Sequence, residues 1–225
     1  MKLFGLWPFR RRSEIERSAV SRLANEIFAS AQECRRATEE WIEQSSPDAD
    51  ERARMSVEAF REYIWFFLHC ANRMAFLELG DSTSALLCHA LVPMVAFRTR
   101  LAVTGDGSPF GEKDPTDSAF IDTYNMVEAE YGLCTEVVID PSGEGLIGRR
   151  SAAGTKRRDH KGVVSGGLAN QLAYNVADAI SQPYDSAVEI AVTASALEVL
   201  KRKRINKLVS QAGAEIVGLS AGART

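Results

Sequence analysis

The sequence contains few of the residues that build metal and redox sites, with three histidines and four cysteines among 225 residues. The cysteines are widely spaced and none belongs to a C-x-x-C pair, which excludes the common zinc and dithiol motifs. The apolar segment from Leu3 to Phe9 is short and precedes three arginines, which is the wrong order for an export signal. We therefore expect reduced thiols and a cytoplasmic protein.

Long hydrophobic runs and a large net charge are also missing. The longest uncharged apolar run, from Ala85 to Phe97, is shorter than a bilayer span, so we expect no transmembrane helix. The net charge of -3 at pH 7 gives no general attraction to nucleic acid. A hydrophobic content of 45% with 25% charged residues is ordinary for a folded protein, and the length suits one large domain.

What the sequence does contain is helical periodicity. Between Ser13 and Gln44, small or apolar residues alternate at spacings of four and three, which predicts an amphipathic helix with one buried seam. Ser13 is the predicted cap of this helix, and Pro47 follows its end. The seam residues are Val20, Ala24, Ile27, Ala31, Cys34, Thr38 and Trp41.

Two strongly apolar segments meet at Gly80, and this junction is the most informative feature of the chain. A second helix is predicted from about Asp50 to Leu79 and a third from about Ser84 to Val103, because glycine readily closes a helix. The second helix is apolar nearly all round, which predicts a central position. Pro93 predicts a kink in the third helix. The segments therefore predict a buried antiparallel helical hairpin.

Three further helices are predicted after residue 113. The first begins at Asp114-Pro115 and ends at Gly132, since an acidic cap followed by proline is a typical helix start. The second covers about 168–181. The third covers about 186–212, opened by a capping box at Ser186 and stopped by Gly213. The inner stripe of the first is Phe120, Tyr124, Val127 and Tyr131.

The predicted fold is all-α, a helical bundle of about six helices with a small irregular or β-hairpin insertion near residues 135–167. Residues 135–139 and 146–147 are the β-prone segments of that insertion. We divide the chain into a basic and aromatic N-terminal arm at 1–12, one helical domain at 13–213 and a C-terminal tail at 214–225. The domain includes a glycine-rich basic loop at 141–167, which we expect to be flexible.

Two short patterns resemble known signatures but lack their structural context. Residues 143–148 match G-x-G-x-x-G, yet no βαβ unit surrounds them, so we predict no cofactor. Residues 218–222 match the G-x-S-x-G pattern of α/β hydrolases, but no strand precedes them and no histidine follows. Neither pattern predicts an enzyme.

The second helix carries the candidates for catalysis, Glu62, His69 and Arg73. These side chains lie near one azimuth of the helix, and an enclosed set of this kind would suit acid/base chemistry. The interpretation that we favour from the sequence is a solvent-facing strip with ion pairs at helical spacing. The sequence therefore predicts no established catalytic residue.

A soft metal site is the second chemical alternative near Gly80. Its four candidate ligands lie at similar distances from the turn: His69, Cys70, Cys88 and His89. Because adjacent residues on a helix point about 100° apart, the four cannot converge without distortion. We therefore predict no metal.

Basic residues offer two alternatives for surface binding. Candidate contacts to an anion or nucleic acid lie in residues 149–161 and 201–207, namely Arg149, Arg150, Lys156, Arg157, Arg158, Lys201, Arg202, Lys203 and Arg204. Candidate contacts to a membrane surface or partner lie in the arm, namely Phe4, Trp7, Phe9, Arg10, Arg11 and Arg12. The competing interpretation of each basic run is a solvated face or loop.

The leading functional prediction is a non-catalytic cytoplasmic helical protein that acts through protein–protein association, including self-association. One alternative is a peripheral membrane or nucleic-acid binder that uses the basic elements. Another alternative is a helical-bundle enzyme with a polar site around His69. Packing residues constrain shape more than chemistry, so the sequence names neither a ligand nor a partner.

Overall fold

The structure is a computed structural model, and it describes residues 18–104, 115–132, 134, 136–139, 146–149, 155–156, 163–164 and 167–222. These residues form an all-α bundle, which confirms the predicted fold class. The described part contains eight helices: α1 (Ala19–Arg36), α2 (Glu39–Ser45), α3 (Ala49–Leu79), α4 (Asp81–Thr104), α5 (Pro115–Tyr131), α6 (Leu168–Ala179), α7 (Ser186–Lys203) and α8 (Ile205–Gly222).

Two short antiparallel strand pairs lie between α5 and α6 in the chain. Strand β1 (Glu136–Ile139) pairs with β2 (Leu146–Arg149), with Val138 opposite Ile147, at the positions where the sequence predicts a hairpin. Strand β3 (Thr155–Lys156) pairs with β4 (Val163–Val164).

Helix α3 is the centre of the bundle, as its apolar circumference predicts. It packs against α1, α2, α4, α5, α6 and α8. Its buried apolar side chains point in several directions and include Phe60, Ile64, Trp65, Phe66, Phe67, Leu68, Ala71 and Met74.

Helices α3 and α4 form the predicted hairpin, and a single residue connects them. Gly80 has φ 79°, a left-handed conformation that favours glycine, and its N–H donates to the carbonyl of Phe76 at 3.1 Å. Helix α4 therefore begins at Asp81, three residues earlier than the sequence predicts. Asn72 and Cys88, which flank Gly80 symmetrically, are hydrogen-bonded across the hairpin.

The first predicted helix is divided into α1 and α2, although its seam is buried as expected except for Trp41, which is half-buried. Ser18 caps α1 by accepting from the N–H of Ser21 at 3.0 Å, whereas the predicted cap Ser13 lies outside the described residues. The division follows Arg36. There the hydroxyl of Thr38 donates to the carbonyl of Arg35 at 2.6 Å and competes with the helical backbone.

The last predicted helix is also divided, into α7 and α8. It begins at Ser186 as predicted, but its predicted cap and its predicted C-terminal end are wrong. Asp185, not Ser186, caps α7 by accepting from the N–H groups of Ala187 and Val188. The break falls at Arg204, which is left-handed at φ 50°. Because of this break α7 packs on α6 and α1, whereas α8 packs on α1, α3 and α4.

Gly213 lies inside α8 and does not end it, contrary to the sequence prediction. A Cβ atom at this position would overlap the side chain of Leu79. The glycine therefore allows α8 to approach the end of α3 closely, and its role is packing rather than termination. The boundaries of the N-terminal arm, the helical domain and the C-terminal tail remain predictions.

Candidate functional site

A polar network connects α3, α4 and α5, and His69 is its most enclosed member, with 1% of its surface exposed. The Nδ1 atom of His69 lies 2.9 Å from Oε2 of Glu128, and the amide of Asn72 donates to Oε1 of the same carboxylate at 2.7 Å. The thiol of Cys88 donates to Oδ1 of Asn72 at 3.0 Å. Tyr124 lies one turn before Glu128 on α5 and near Cys88, but its buried hydroxyl has no hydrogen-bond partner among the described residues. We call these five residues the polar network.

Charge in the polar network is concentrated on Glu128. Burial works against its ionisation, but hydrogen bonds from His69 and Asn72 outweigh burial and lower the pKa of Glu128 below its ordinary value. Burial and the charge of Glu128 raise the pKa of Cys88 to about 12, and the same two causes raise the pKa of Tyr124 well above its ordinary value. Glu128 is therefore a carboxylate at neutral pH, while the thiol and the phenol keep their protons.

This arrangement assigns the proton on His69. A carboxylate only accepts hydrogen bonds, so Nδ1 of His69 is the donor to Glu128. The other ring nitrogen, Nε2, is buried and has no hydrogen-bond partner among the described residues. A carboxylate that holds a histidine in one tautomer is also found at metal and catalytic sites, so the His69–Glu128 pair has the form of a reactive pair.

A second buried network, which sequence reasoning missed, joins α5 to α6. Gln171 and Asn175 each donate an amide hydrogen bond to Oε1 of Glu130 at 3.1 Å. Gln171 also donates to Asn175 at 2.9 Å, and the Asn175 amide lies 3.5 Å from the hydroxyl of Tyr131. The ring of Tyr131 is 5.6 Å from that of His69, so the two networks are adjacent.

An open cleft of about 320 Å³ lies between the same three helices that form the polar network. Trp65 and Phe120 form one aromatic wall, with ring centroids 6.3 Å apart. Arg61 and Glu58 form an ion pair of 2.8 Å beside it. The lining residues are Glu58, Arg61 and Trp65 of α3, Ala96, Thr99, Arg100, Val103 and Thr104 of α4, and Ala119, Phe120 and Thr123 of α5.

The cleft and the polar network are consecutive along the helices. On α3, Trp65 of the cleft is one turn before His69, and on α5, Phe120 is one turn before Tyr124. One helical turn rises about 5.4 Å, so the two features are separated by roughly that distance along the bundle. His69 and Glu128 nevertheless do not line the cleft.

The structure corrects the favoured interpretation of the candidate catalytic residues. Glu62 and His69 are 2% and 1% exposed, so they do not belong to a solvent-facing strip. Arg73 is half-buried, and its guanidinium lies over the ring of Phe76 at 5.3 Å. No local pattern points to Glu128 as the partner of His69, because the two residues are 59 positions apart.

The four residues considered for a metal site differ in how deeply they are buried. His69 and Cys70 are buried, Cys88 is half-buried and His89 is exposed. Within the part of the chain that the structure describes, no group of three or more histidine, cysteine, aspartate or glutamate side chains is arranged to hold a metal ion.

Some of the candidate basic contacts are engaged with α1. Arg202 pairs with Glu33, and Lys203 pairs with Glu26 at 2.8 Å, so part of the 201–204 cluster holds the bundle together. Arg149 and Lys156 lie in β2 and β3. The remaining candidates of the basic loop and the arm lie outside the described residues, namely Arg150, Arg157, Arg158, Phe4, Trp7, Phe9, Arg10, Arg11 and Arg12.

Helix α4 is the one described helix whose length and composition would allow it to cross a membrane, with a mean hydropathy of 1.4 over its best window. Within the bundle 44% of that window is buried, and core helices of soluble proteins meet the same criterion. The expectation of no transmembrane helix stays a prediction.

Comparison with known proteins gives no further guidance. No protein-family model, no curated protein and no solved structure matches this chain.

Proposed function

We propose that this protein binds a small organic molecule in the cleft between α3, α4 and α5. The observation that carries the proposal is the cleft, whose volume of about 320 Å³ is in the range of ligand sites. Trp65 and Phe120 give it an apolar wall, and a few polar side chains surround that wall. Ligand sites typically combine these two properties, because apolar surface gives affinity and sparse polar groups give orientation.

The polar lining offers both donors and acceptors to a ligand. The guanidinium group of Arg61 supplies donors. The hydroxyl of Thr99 donates to the carbonyl of Val95 at 2.9 Å, which leaves oxygen lone pairs as acceptors. Because His69 and Glu128 do not line the cleft, we propose binding rather than catalysis.

Phenylnaphthylamine, an uncharged aromatic probe whose fluorescence rises in apolar surroundings, tests this proposal. We expect saturable binding of one probe per chain. Ala119 is exposed and lines the cleft, so Ala119→Trp should fill the entrance and abolish binding without disturbing the core. Met126→Trp, an exposed position on the same helix outside the cleft, is the matched control and should bind normally.

Two results would overturn the proposal. One is the absence of saturable binding by the folded wild-type protein. The other is equal binding by the two tryptophan variants, with thermal melts showing that both are folded.

Self-association is the second candidate, and exposed apolar side chains near the Gly80 turn favour it. Phe76, Leu77 and Leu86 are 43%, 49% and 48% exposed and lie within ten residues of the turn. Large apolar side chains that are exposed close to one another are common at protein interfaces. We call Phe76, Leu77 and Leu86 the apolar end of the bundle.

Sedimentation at increasing protein concentration tests this candidate. We expect a dimer that Leu77→Glu combined with Leu86→Glu dissociates, while Ile190→Glu, an exposed position on α7, has no effect. A strict monomer at high concentration would exclude self-association. The cytoplasmic location and the membrane or nucleic-acid alternatives remain predictions.

A further inference from the structure

We infer that a second cleft, between the end of α6 and the loop before α7, binds a small organic cation of the quaternary ammonium class. This cleft has a volume of about 410 Å³. It is lined by Tyr174, Ala177, Asp178, Gln182 and Tyr184, and we call it the tyrosine cleft. It shares no lining residue with the cleft between α3, α4 and α5, so either can bind a ligand without the other.

Two tyrosine rings give the tyrosine cleft an aromatic corner. The ring centroids of Tyr174 and Tyr184 are 5.7 Å apart, and the ring planes meet at 72°. Tyr184 is 37% exposed and Tyr174 is half-buried, so a ligand can reach this pair from solvent. The face of an aromatic ring carries negative electrostatic potential, and aromatic side chains grouped in this way are typical of sites for quaternary ammonium ions.

The tyrosine cleft lies at the negative end of α6. Ala177 and Asp178 belong to the last turn of this helix, which ends at Ala179. Carbonyl groups at the C-terminus of a helix carry a partial negative charge, which a basic side chain in the last turn often offsets. The last turn of α6, all of which the structure describes, contains no basic residue. A bound cation would supply the positive charge that this helix end favours.

Acidic side chains predominate in the sequence that forms the tyrosine cleft. Residues 168–200 include four acids and no lysine, arginine or histidine. Glu189 of α7 accepts a hydrogen bond from the neutral amide of Asn170 at 2.6 Å, and such a bond leaves its negative charge in place. Burial and, after it, the neighbouring Glu189 raise the pKa of Tyr184, so the charge of Glu189 acts beside the aromatic corner.

Hydrogen bonds hold the loop between α6 and α7 in place. The backbone N–H of Gln182 donates to the carbonyl of Ala177 at 2.9 Å, and its side-chain amide donates to the hydroxyl of Ser45 at 2.7 Å. Asp185 is fixed as the cap of α7. Tyr184 lies between these two anchored residues, so the aromatic corner needs little ordering when a ligand binds.

Choline and dimethylbutanol test the charge of the ligand, because dimethylbutanol has the shape of choline with a carbon atom in place of the charged nitrogen. We expect choline to bind about tenfold more tightly, since contacts with two aromatic faces together contribute roughly that factor. The chemical shifts of the ligand methyl protons measure both affinities. Added salt should reduce the preference for choline, because the tyrosine cleft is open to solvent.

Three variants locate the effect in the aromatic corner. Tyr184→Leu keeps an apolar side chain but removes one aromatic face, so it should weaken choline binding about fivefold and change dimethylbutanol binding by less than about twofold. Tyr184→Phe should keep the choline affinity, because the ring face and not the hydroxyl attracts the cation. Phe76→Leu alters an exposed aromatic residue outside the tyrosine cleft, so this matched control should bind choline normally.

The acidic surroundings are tested separately by Glu189→Gln, which removes the charge and keeps an acceptor for Asn170. This variant should weaken choline binding by about twofold and leave dimethylbutanol binding unchanged.

Three results would overturn the inference: no binding of choline by the folded wild-type protein, equal affinity for choline and dimethylbutanol, or a choline affinity that Tyr184→Leu leaves unchanged. Thermal melts of each variant show that a lost signal is not a lost fold. Phenylnaphthylamine binding should be the same in all of these variants, so a failure at the tyrosine cleft is distinguishable from a failure of the proposed function.

Discussion

The polar network and the cleft are built by the same three helices, yet their polar groups are arranged in opposite ways. In the polar network the side chains bind one another, and Glu128 satisfies both His69 and Asn72. In the cleft, Arg61 and Glu58 form only a partly exposed pair. Enclosed polar groups therefore hold the helices of this bundle in place, whereas open ones are available to a ligand.

The polar network also explains how the cleft is positioned. The hydrogen bond between His69 and Glu128 joins α3 to α5 across 59 residues of sequence. One turn away, the same two helices present Trp65 and Phe120 as the aromatic wall. The polar network therefore fixes the spacing of the cleft walls, and breaking it should affect stability first and ligand binding second.

The largest contrast is expected in thiol chemistry. Burial raises the pKa of Cys88 to about 12. At pH 8 the Cys88 thiol therefore forms roughly a thousandfold less thiolate than a thiol with the ordinary pKa of 9.0. Alkylation of Cys88 by iodoacetamide, followed by mass spectrometry, should therefore be very slow in the folded protein and fast in urea. Similar rates in the two conditions would mean that the polar network is open.

The next contrast concerns stability. Glu128→Ala leaves the buried His69 and the half-buried Asn72 without their acceptor, and we expect a loss of about 2–3 kcal/mol in the free energy of unfolding. Glu58→Ala in the cleft should change it by no more than about 0.5 kcal/mol. Urea denaturation of the two variants measures both values. Equal losses would remove the distinction between the two regions.

The smallest contrast is a dependence of stability on pH. Because folding lowers the pKa of Glu128 below its ordinary 4.5, the unfolded chain binds its proton first as the pH falls. The contribution of Glu128 to the free energy of unfolding is complete above about pH 4.5. It is lost as the pH falls through the pKa of Glu128 in the folded protein. Glu128→Gln should flatten this loss in thermal melts.

Glu58→Gln is the matched control for the pH experiment, and its acid profile should follow that of the wild type. An unchanged slope in Glu128→Gln would show that Glu128 does not carry the acid sensitivity.

The helices, their buried faces and the Gly80 turn were predictable from the sequence, because local residue patterns determine them. The seam of α1 and the all-round apolar surface of α3 follow from helical periodicity, and Pro115 marks the start of α5. The Gly80 turn was also predictable, because a left-handed residue between two apolar segments favours glycine.

The break at Arg204 was not predictable, because it depends on tertiary packing. Arg204 adopts a left-handed conformation without being glycine, and Gly213 continues a helix because Leu79 lies against it. The polar network could not be predicted from the sequence for the same reason. His69 and Asn72 are visible as neighbours on one helix, but nothing local pairs them with Glu128 on another.

Nuclear magnetic resonance during titration with phenylnaphthylamine shows whether the cleft is the ligand site. We predict that shifts concentrate on residues of the cleft, with the side-chain N–H of Trp65 and the backbone N–H groups of Phe120 and Thr123 most affected. Shifts confined to Phe76, Leu77 and Leu86 at the apolar end, with the cleft unmoved, would contradict the account.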